Sequence, residues 1–254
     1  MTFSTIPLLF AAQVLFLFVA AAKARARTAY LAAFVVTLAL AAWGLTTATM
    51  ATSGIYDTEA FLRLMPGLWL STVPFLVVAL TLLLPPVRAG LLQMADAVPH
   101  HWFVAIQALR VLAIGTLIKT IQGDFPLEVE LAIGITDFAF GLSAVWLFAK
   151  VRRGTLSHDA LMMWHIVGVL IIVLPGGIAM QSGLPGPWRV FHEYPTSQAM
   201  LDWPMVLAPS LVVPIFLLLN IFAAVAAHRA RARAQVTGDY ASASGSECAR
   251  RDDP

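Results

Sequence analysis

Charge is what this sequence has least of. Lys, Arg, Asp and Glu together make up 12% of its 254 residues, against about a quarter in a soluble domain. Apolar residues make up 59%, and the mean hydropathy is +0.81. Water does not solvate such a surface, and lipid does. Cysteine is nearly absent: the single Cys248 stands in a polar segment, which excludes a disulfide framework and a Cys-based metal site within the chain. The sequence contains no H-E-x-x-H, G-x-S-x-G, phosphate loop or C-x-x-C, so the common routes to hydrolase, nucleotide and redox chemistry have no motif here. Lysine is missing from the last apolar run, which removes a retinal Schiff base. Glu130 and Asp137 share one helix without the second metal-binding helix of a di-iron site. Neither an enzyme nor a resident cofactor or metal is expected.

Apolar runs of spanning length are abundant. A hydrocarbon core of about 30 Å takes roughly 20 apolar residues in a helix, and seven runs qualify, at about 5–22, 28–49, 67–86, 99–122, 127–149, 159–180 and 203–227. The first has its positive charges behind it rather than ahead of it, which marks a retained helix and not a signal peptide. Ten basic residues (Lys23, Arg25, Arg27, Arg88, Lys150, Arg152, Arg153, Arg229, Arg231 and Arg233) fall on one side of a seven-span arrangement; Arg63 and Arg189 fall on the other. The excess of Lys and Arg in cytoplasmic loops then predicts an outside N-terminus and an inside C-terminus. Because the basic residues lie in short loops between apolar runs, nucleic acid is not an expected partner; the lipid bilayer is. Trp69, Trp188, Tyr194 and Trp203 fall near the outer boundary, and Trp102 and Trp146 near the inner one, as an aromatic belt does. The longest loop, between the sixth and seventh runs, reads as a partial lid in the outer interface. Beyond Arg233 apolar periodicity stops. The chain therefore divides into one seven-helix transmembrane domain, 1–233, and a tail, 234–254, expected to be disordered on the cytoplasmic side.

A few charges remain inside the apolar runs. Arg110 falls near the middle of the fourth and Asp137 near the middle of the fifth, where a charge costs about 2.5–3.5 kcal/mol to insert and usually faces a partner or a cavity. The short turn at Gly123, Asp124 and Pro126 makes these helices antiparallel neighbours and brings the two charges to nearly equal depth, so they are predicted to pair. At about 100° per residue, Glu130, Gly134, Asp137 and Gly141 share one face, and the two glycines should let a neighbouring helix approach closely. Gln107 precedes Arg110 by one turn on a similar face; Lys119 points away and should reach outward. Pro175, Gly176 and Gly177 interrupt the sixth run, and Pro209 and Pro214 the seventh. His165 and Asn220 lie at similar depth on these two and are predicted to touch. With Gln13 of the first run, five helices can present polar groups toward one central zone.

Gln107 and Arg110 in QALR, followed by Gly134, Asp137, Gly141, Leu142 and Ala144 in GITDFAFGLSA, resemble a group of uncharacterised bacterial multi-span membrane proteins with a Q-x-x-R helix followed by a G-x-x-D-x-x-x-G-L-x-A helix. Trp164, Gly168 and the Val213–Pro214 pair extend the likeness over roughly residues 95–225. His165 stands where that group has Asn, and Asn220 where its last helix often has His. The resemblance implies a polytopic protein of the bacterial plasma (inner) membrane and a polar cluster, and it supplies no reaction. Two function classes stay open. Either Arg110, Asp137, Gln107, His165, Asn220 and Glu130 bind or transport a small molecule or proton, or the same cluster locks helices together in an accessory subunit that serves a protein partner.

Overall fold

A computed structural model of the chain describes residues 4–249, with side chains to 235. Most of the predicted tail, Cys248 included, therefore lies outside the residues described in full. Every regular element among the described residues is helical. Six helices are long and apolar enough to cross a membrane: α1 (Ile6–Ala24), α2 (Arg27–Thr52), α5 (His100–Gln122), α6 (Leu127–Arg152), α7 (His158–Gly183) and α8 (Ala208–Gln235, continuing to Ala249). A seventh span exists only if α3 (Pro66–Thr81) and α4 (Pro85–Ala97), bent by 106°, are taken together.

That bend is where the third run departs from expectation. Proline lacks the N–H an interior helical residue must give, and it pushes the residue before it out of helical conformation. Leu84, ahead of Pro85 and Pro86, is extended (φ −82°, ψ 110°), and the prolines open a new helix instead of closing the old one. The sixteen residues of α3 rise only about 24 Å at 1.5 Å each, short of a full hydrocarbon core. In α4, Val87, Gly90 and Met94 are buried at helical spacing while Arg88, Gln93 and Asp96 are exposed. It lies across the starts of α2 and the end of α8. A Cβ on Gly90 would collide with the Thr28 carbonyl, the Thr28 hydroxyl donates to Gln93 Oε1 at 2.5 Å, and Asp96 accepts from Arg229 at 2.8 and 2.7 Å and from Arg233 at 2.9 Å. Arg231 donates to Asp159, at the start of α7, at 2.6 Å. The guanidinium of Arg229 holds the Asp96 carboxyl below the ordinary carboxylate range.

The lipid-facing perimeter is legible in the exposed apolar residues. Leu31, Leu38 and Leu45 recur every seven residues on α2, and Leu174 and Ile178 mark the outer face of α7. The last helix is the opposite case: 67% of its apolar stretch is buried, against 17% for α1. It runs through the middle of the bundle, and the largest core cluster joins Ile215, Phe216, Leu219 and Ala223 of α8 to α1, α2, α4 and α5. A second cluster lies at the opposite end from the basic residues. There Leu184, Met200, Leu201 and Val206 of the long loop are buried with Tyr56, Leu70, Phe125 and Met180. Leu184, Met200, Leu201 and Val206 thus tie that loop into the core, while the stretch around Trp188, Val190 and Tyr194, and Trp203 further on, are exposed in the manner of a lid.

Candidate functional site

Three local irregularities in α5, α6 and α8 position the polar side chains. In α5 the residues Ala108–Ala113 form a 3₁₀ turn between two α segments. Side chains three apart eclipse in such a turn, so Gln107 and Arg110 stand one above the other. In α6 the residues Glu130–Gly134 form a π turn, which shifts the register ahead of Asp137. The helices are joined by Gly123, whose left-handed φ of 79° ends α5, with Asp124 N–H closing onto the Lys119 carbonyl at 2.8 Å. A Cβ on Gly141 would lie 2.5 Å from Val111 N and 2.8 Å from the Arg110 carbonyl carbon, so this glycine is what lets the two backbones meet. Gly134 serves differently: the Glu130 carboxylate fills the space above it.

Arg110 and Asp137 are brought together. The Arg110 Nε–H donates to Asp137 Oδ1 in a buried ion pair, Nη1 donates to the Gly168 carbonyl at 3.3 Å, and a long contact of 3.5 Å reaches Gln107 Oε1. The guanidinium also lies over the Phe140 ring, 4.3 Å from its centroid. Phe140 in turn stacks on Trp164 at 4.3 Å and 15°, and the Trp164 indole N–H donates to Ser143 Oγ at 3.1 Å. This layering of cation, phenyl and indole was not part of the sequence expectation, although Phe140 follows Asp137 by three residues and so shares its face. Lys119 is exposed, away from the pair.

His165 and Asn220 also meet, at 2.8 Å between Nδ1 and Oδ1. An amide oxygen only accepts, so Nδ1 carries the proton and Nε2 is left as a lone-pair acceptor. Both residues are buried, and His165 Nε2, Asn220 Nδ2 and Arg110 Nη2 have no hydrogen-bond partner. Gly168 links the two pairs, since a Cβ there would strike the Phe140 ring and lie 2.8 Å from Asn220 Nδ2. Beside them a groove of about 320 Å³ opens between α7 and α8, with His165 and Asn220 among the apolar side chains Met162, Ile166 and Val169 of its wall, and with His228 also lining it.

Two expected members stand apart. Glu130 is buried on the outer side of Asp137; neither of its oxygens makes a hydrogen bond of ordinary geometry, and Thr116 is the hydroxyl that interacts with it. Gln13 belongs to the other side of α8. It helps to repair that helix where Pro214 has no N–H for the Ser210 carbonyl four residues back. Trp43 Nε1 donates to Ser210 O at 2.8 Å, Gln13 Nε2 to Val212 O at 2.9 Å, and Gln107 Nε2 to Phe216 O at 3.2 Å. Four helices therefore enclose the polar zone, not five. Among the described residues no group of three or more His, Cys, Asp or Glu is placed to hold a metal ion.

Residues 64–227 match the model of a domain of unknown function, DUF8737. The chain belongs to that family. The matched DUF8737 region begins just before α3 and contains every member of the Arg110 and His165 clusters, while the α1–α2 hairpin precedes it. No curated protein and no solved structure matches the chain.

Proposed function

We propose that this DUF8737 protein is a plasma-membrane protein of bacteria that binds a small hydrogen-bonding molecule, or a proton, inside the bilayer at the junction of α7 and α8. The observation that carries this reading is a pair of buried polar atoms without partners, His165 Nε2 and Asn220 Nδ2, on residues that stand beside the groove. A buried polar group left unpaired costs about 1–3 kcal/mol, so a ligand whose O–H or N–H reaches Nε2 recovers that cost. Arg110, paired with Asp137, donates to the carbonyl of Gly168, against which Asn220 packs. Transport is the natural extension of such a site when its occupant reaches both faces. The test is native mass spectrometry of the protein extracted from its host membrane, paired with proton-flux measurement in liposomes. A discrete adduct or a flux that His165→Phe removes and Met162→Leu retains is expected; identical spectra and flux for wild type and His165→Phe would end the proposal.

A second reading has its own support. Gln107 and Arg110 give hydrogen bonds to backbone carbonyls of α8 and α7, which is how helices are tied together in an accessory subunit. Full function in an Arg110→Met, Asp137→Leu double variant would favour it. For orientation, we place the basic end in the cytoplasm by the positive-inside rule. A reporter after Arg233 should then read as internal and one within 183–200 as external.

A further inference from the structure

On the far side of α8 from the Arg110 cluster lies a second cavity, of about 300 Å³, enclosed by α1, α2, α3, α4 and α8. Its walls are apolar except at three places. Arg88, on α4, lines it from the basic end, is exposed, and forms no ion pair with a carboxylate among the described residues. The carboxylate on the same helix, Asp96, is already engaged by Arg229 and Arg233. Deeper, at the middle of α1 and α2, Gln13 and Thr37 line the cavity, and Gln13 Oε1 and Thr37 Oγ1 have no partner. Gln13 is only 2% exposed, and its amide nitrogen is fixed on the Val212 carbonyl, so its oxygen is held in place and can only accept.

We infer that this cavity binds a single-chain anionic amphiphile of the fatty-acid class that bears a hydroxyl part-way along its chain. The cation at the mouth selects an anionic head, the walls of Leu17, Leu40 and Phe222 take hydrocarbon, and the deep oxygens require a donor that a plain alkyl chain lacks. The volume is at the lower bound of small-molecule sites; it admits one chain and not two. The site adjoins the α7–α8 groove, with which it shares only Ile221 and Val225 of α8, and it joins the DUF8737 region to the hairpin outside it.

The test uses the full chain in neutral detergent micelles, with retention of oleate, ricinoleate (its hydroxylated counterpart), methyl ricinoleate and phosphatidylglycerol followed by native mass spectrometry. Ricinoleate should be retained about fivefold more than oleate and about tenfold more than its methyl ester, the ratios that one neutral and one charged hydrogen bond give. Arg88→Gln should reduce ricinoleate to the level of the ester. Thr37→Val, which removes no hydrogen bond from the fold, should narrow the preference for ricinoleate over oleate and leave oleate retention as it was. Equal retention of oleate and ricinoleate by the wild type overturns the inference. So does an Arg88→Gln variant that retains ricinoleate unchanged, or phosphatidylglycerol retained as well as ricinoleate.

Discussion

Removing Asp137 and removing Arg110 should not be equivalent, although each breaks the same ion pair. The Arg110 side chain is 0% exposed and that of Asp137 12%. With Asp137→Ala, a guanidinium that cannot shed its charge remains in the bundle with one carbonyl bond at 3.3 Å, a long contact to Gln107 and the Phe140 ring. Losing one partner of a buried pair costs about 3–5 kcal/mol, and Asp137→Ala should fall in that range. With Arg110→Met the apolar volume is largely kept, and the orphaned carboxyl can take up a proton and become neutral. Its loss should be smaller by at least about 1 kcal/mol, most of a factor of ten in the folded fraction. The double variant Arg110→Met, Asp137→Leu should recover most of the difference, because well-packed apolar replacements of buried pairs are often neutral or better. Thermal unfolding in one detergent, with folded yield from size-exclusion chromatography, measures all three. If Arg110→Met proves the more damaging single change, the cationic residue is held mainly by Phe140 and Gly168, and the reasoning from charge is refuted.

Four further outcomes follow from particular contacts. Trp43→Phe should cost about 1–3 kcal/mol by orphaning the Ser210 carbonyl, and adding Pro214→Ala should return much of it by supplying the missing N–H; unfolding temperatures of the pair decide this. Gly141→Ala should be severely destabilising, since its Cβ would strike backbone at 2.5 Å, whereas Gly115→Ala, with nothing within 4 Å, should raise stability by about 0.5–1 kcal/mol. Asp96 is depressed by Arg229; its contribution is complete above the ordinary carboxylate value near pH ~3.9 and is lost as pH falls through the lower folded value. Cross-linking between α4 and α8 should therefore persist at pH 5 (roughly one unit above that value) and decline only in stronger acid. At the other end, burial first and Asp57 second push the Asp202 carboxyl up. Asp202→Asn should then give a small rise in unfolding temperature at neutral pH and none in acid, where the native carboxyl is already protonated.

Six helices and the Arg110–Asp137 and His165–Asn220 contacts were legible because depth, turn length and helical period act locally. What escaped was the breakage of regular geometry. The Pro85–Pro86 pair is plain in the sequence, yet an apolar window over 67–86 runs across it, because hydropathy weighs side chains and not missing N–H groups. The 3₁₀ turn at 108–113 has no proline or glycine to announce it; it is visible only where Gly141 meets the Arg110 backbone. Depth alone places Gln13 in the central zone, and depth cannot say that α8 stands between it and Arg110. The core role of Leu184, Met200 and Leu201 was hidden in a loop whose prolines and aromatics resemble an interfacial lid.

The broken start of α8 has a consequence for how the protein is built. Lipid offers no donor to the Ser210 carbonyl, which Pro214 leaves without a helical N–H, and the indole that serves it, Trp43 of α2, is synthesised earlier. Passing alone into the bilayer, α8 would carry that carbonyl unpaired. It therefore gains by entering laterally beside an α2 already in place, and a defect in α2 should surface as a failure of α8 to insert, long before it affects anything the mature protein does.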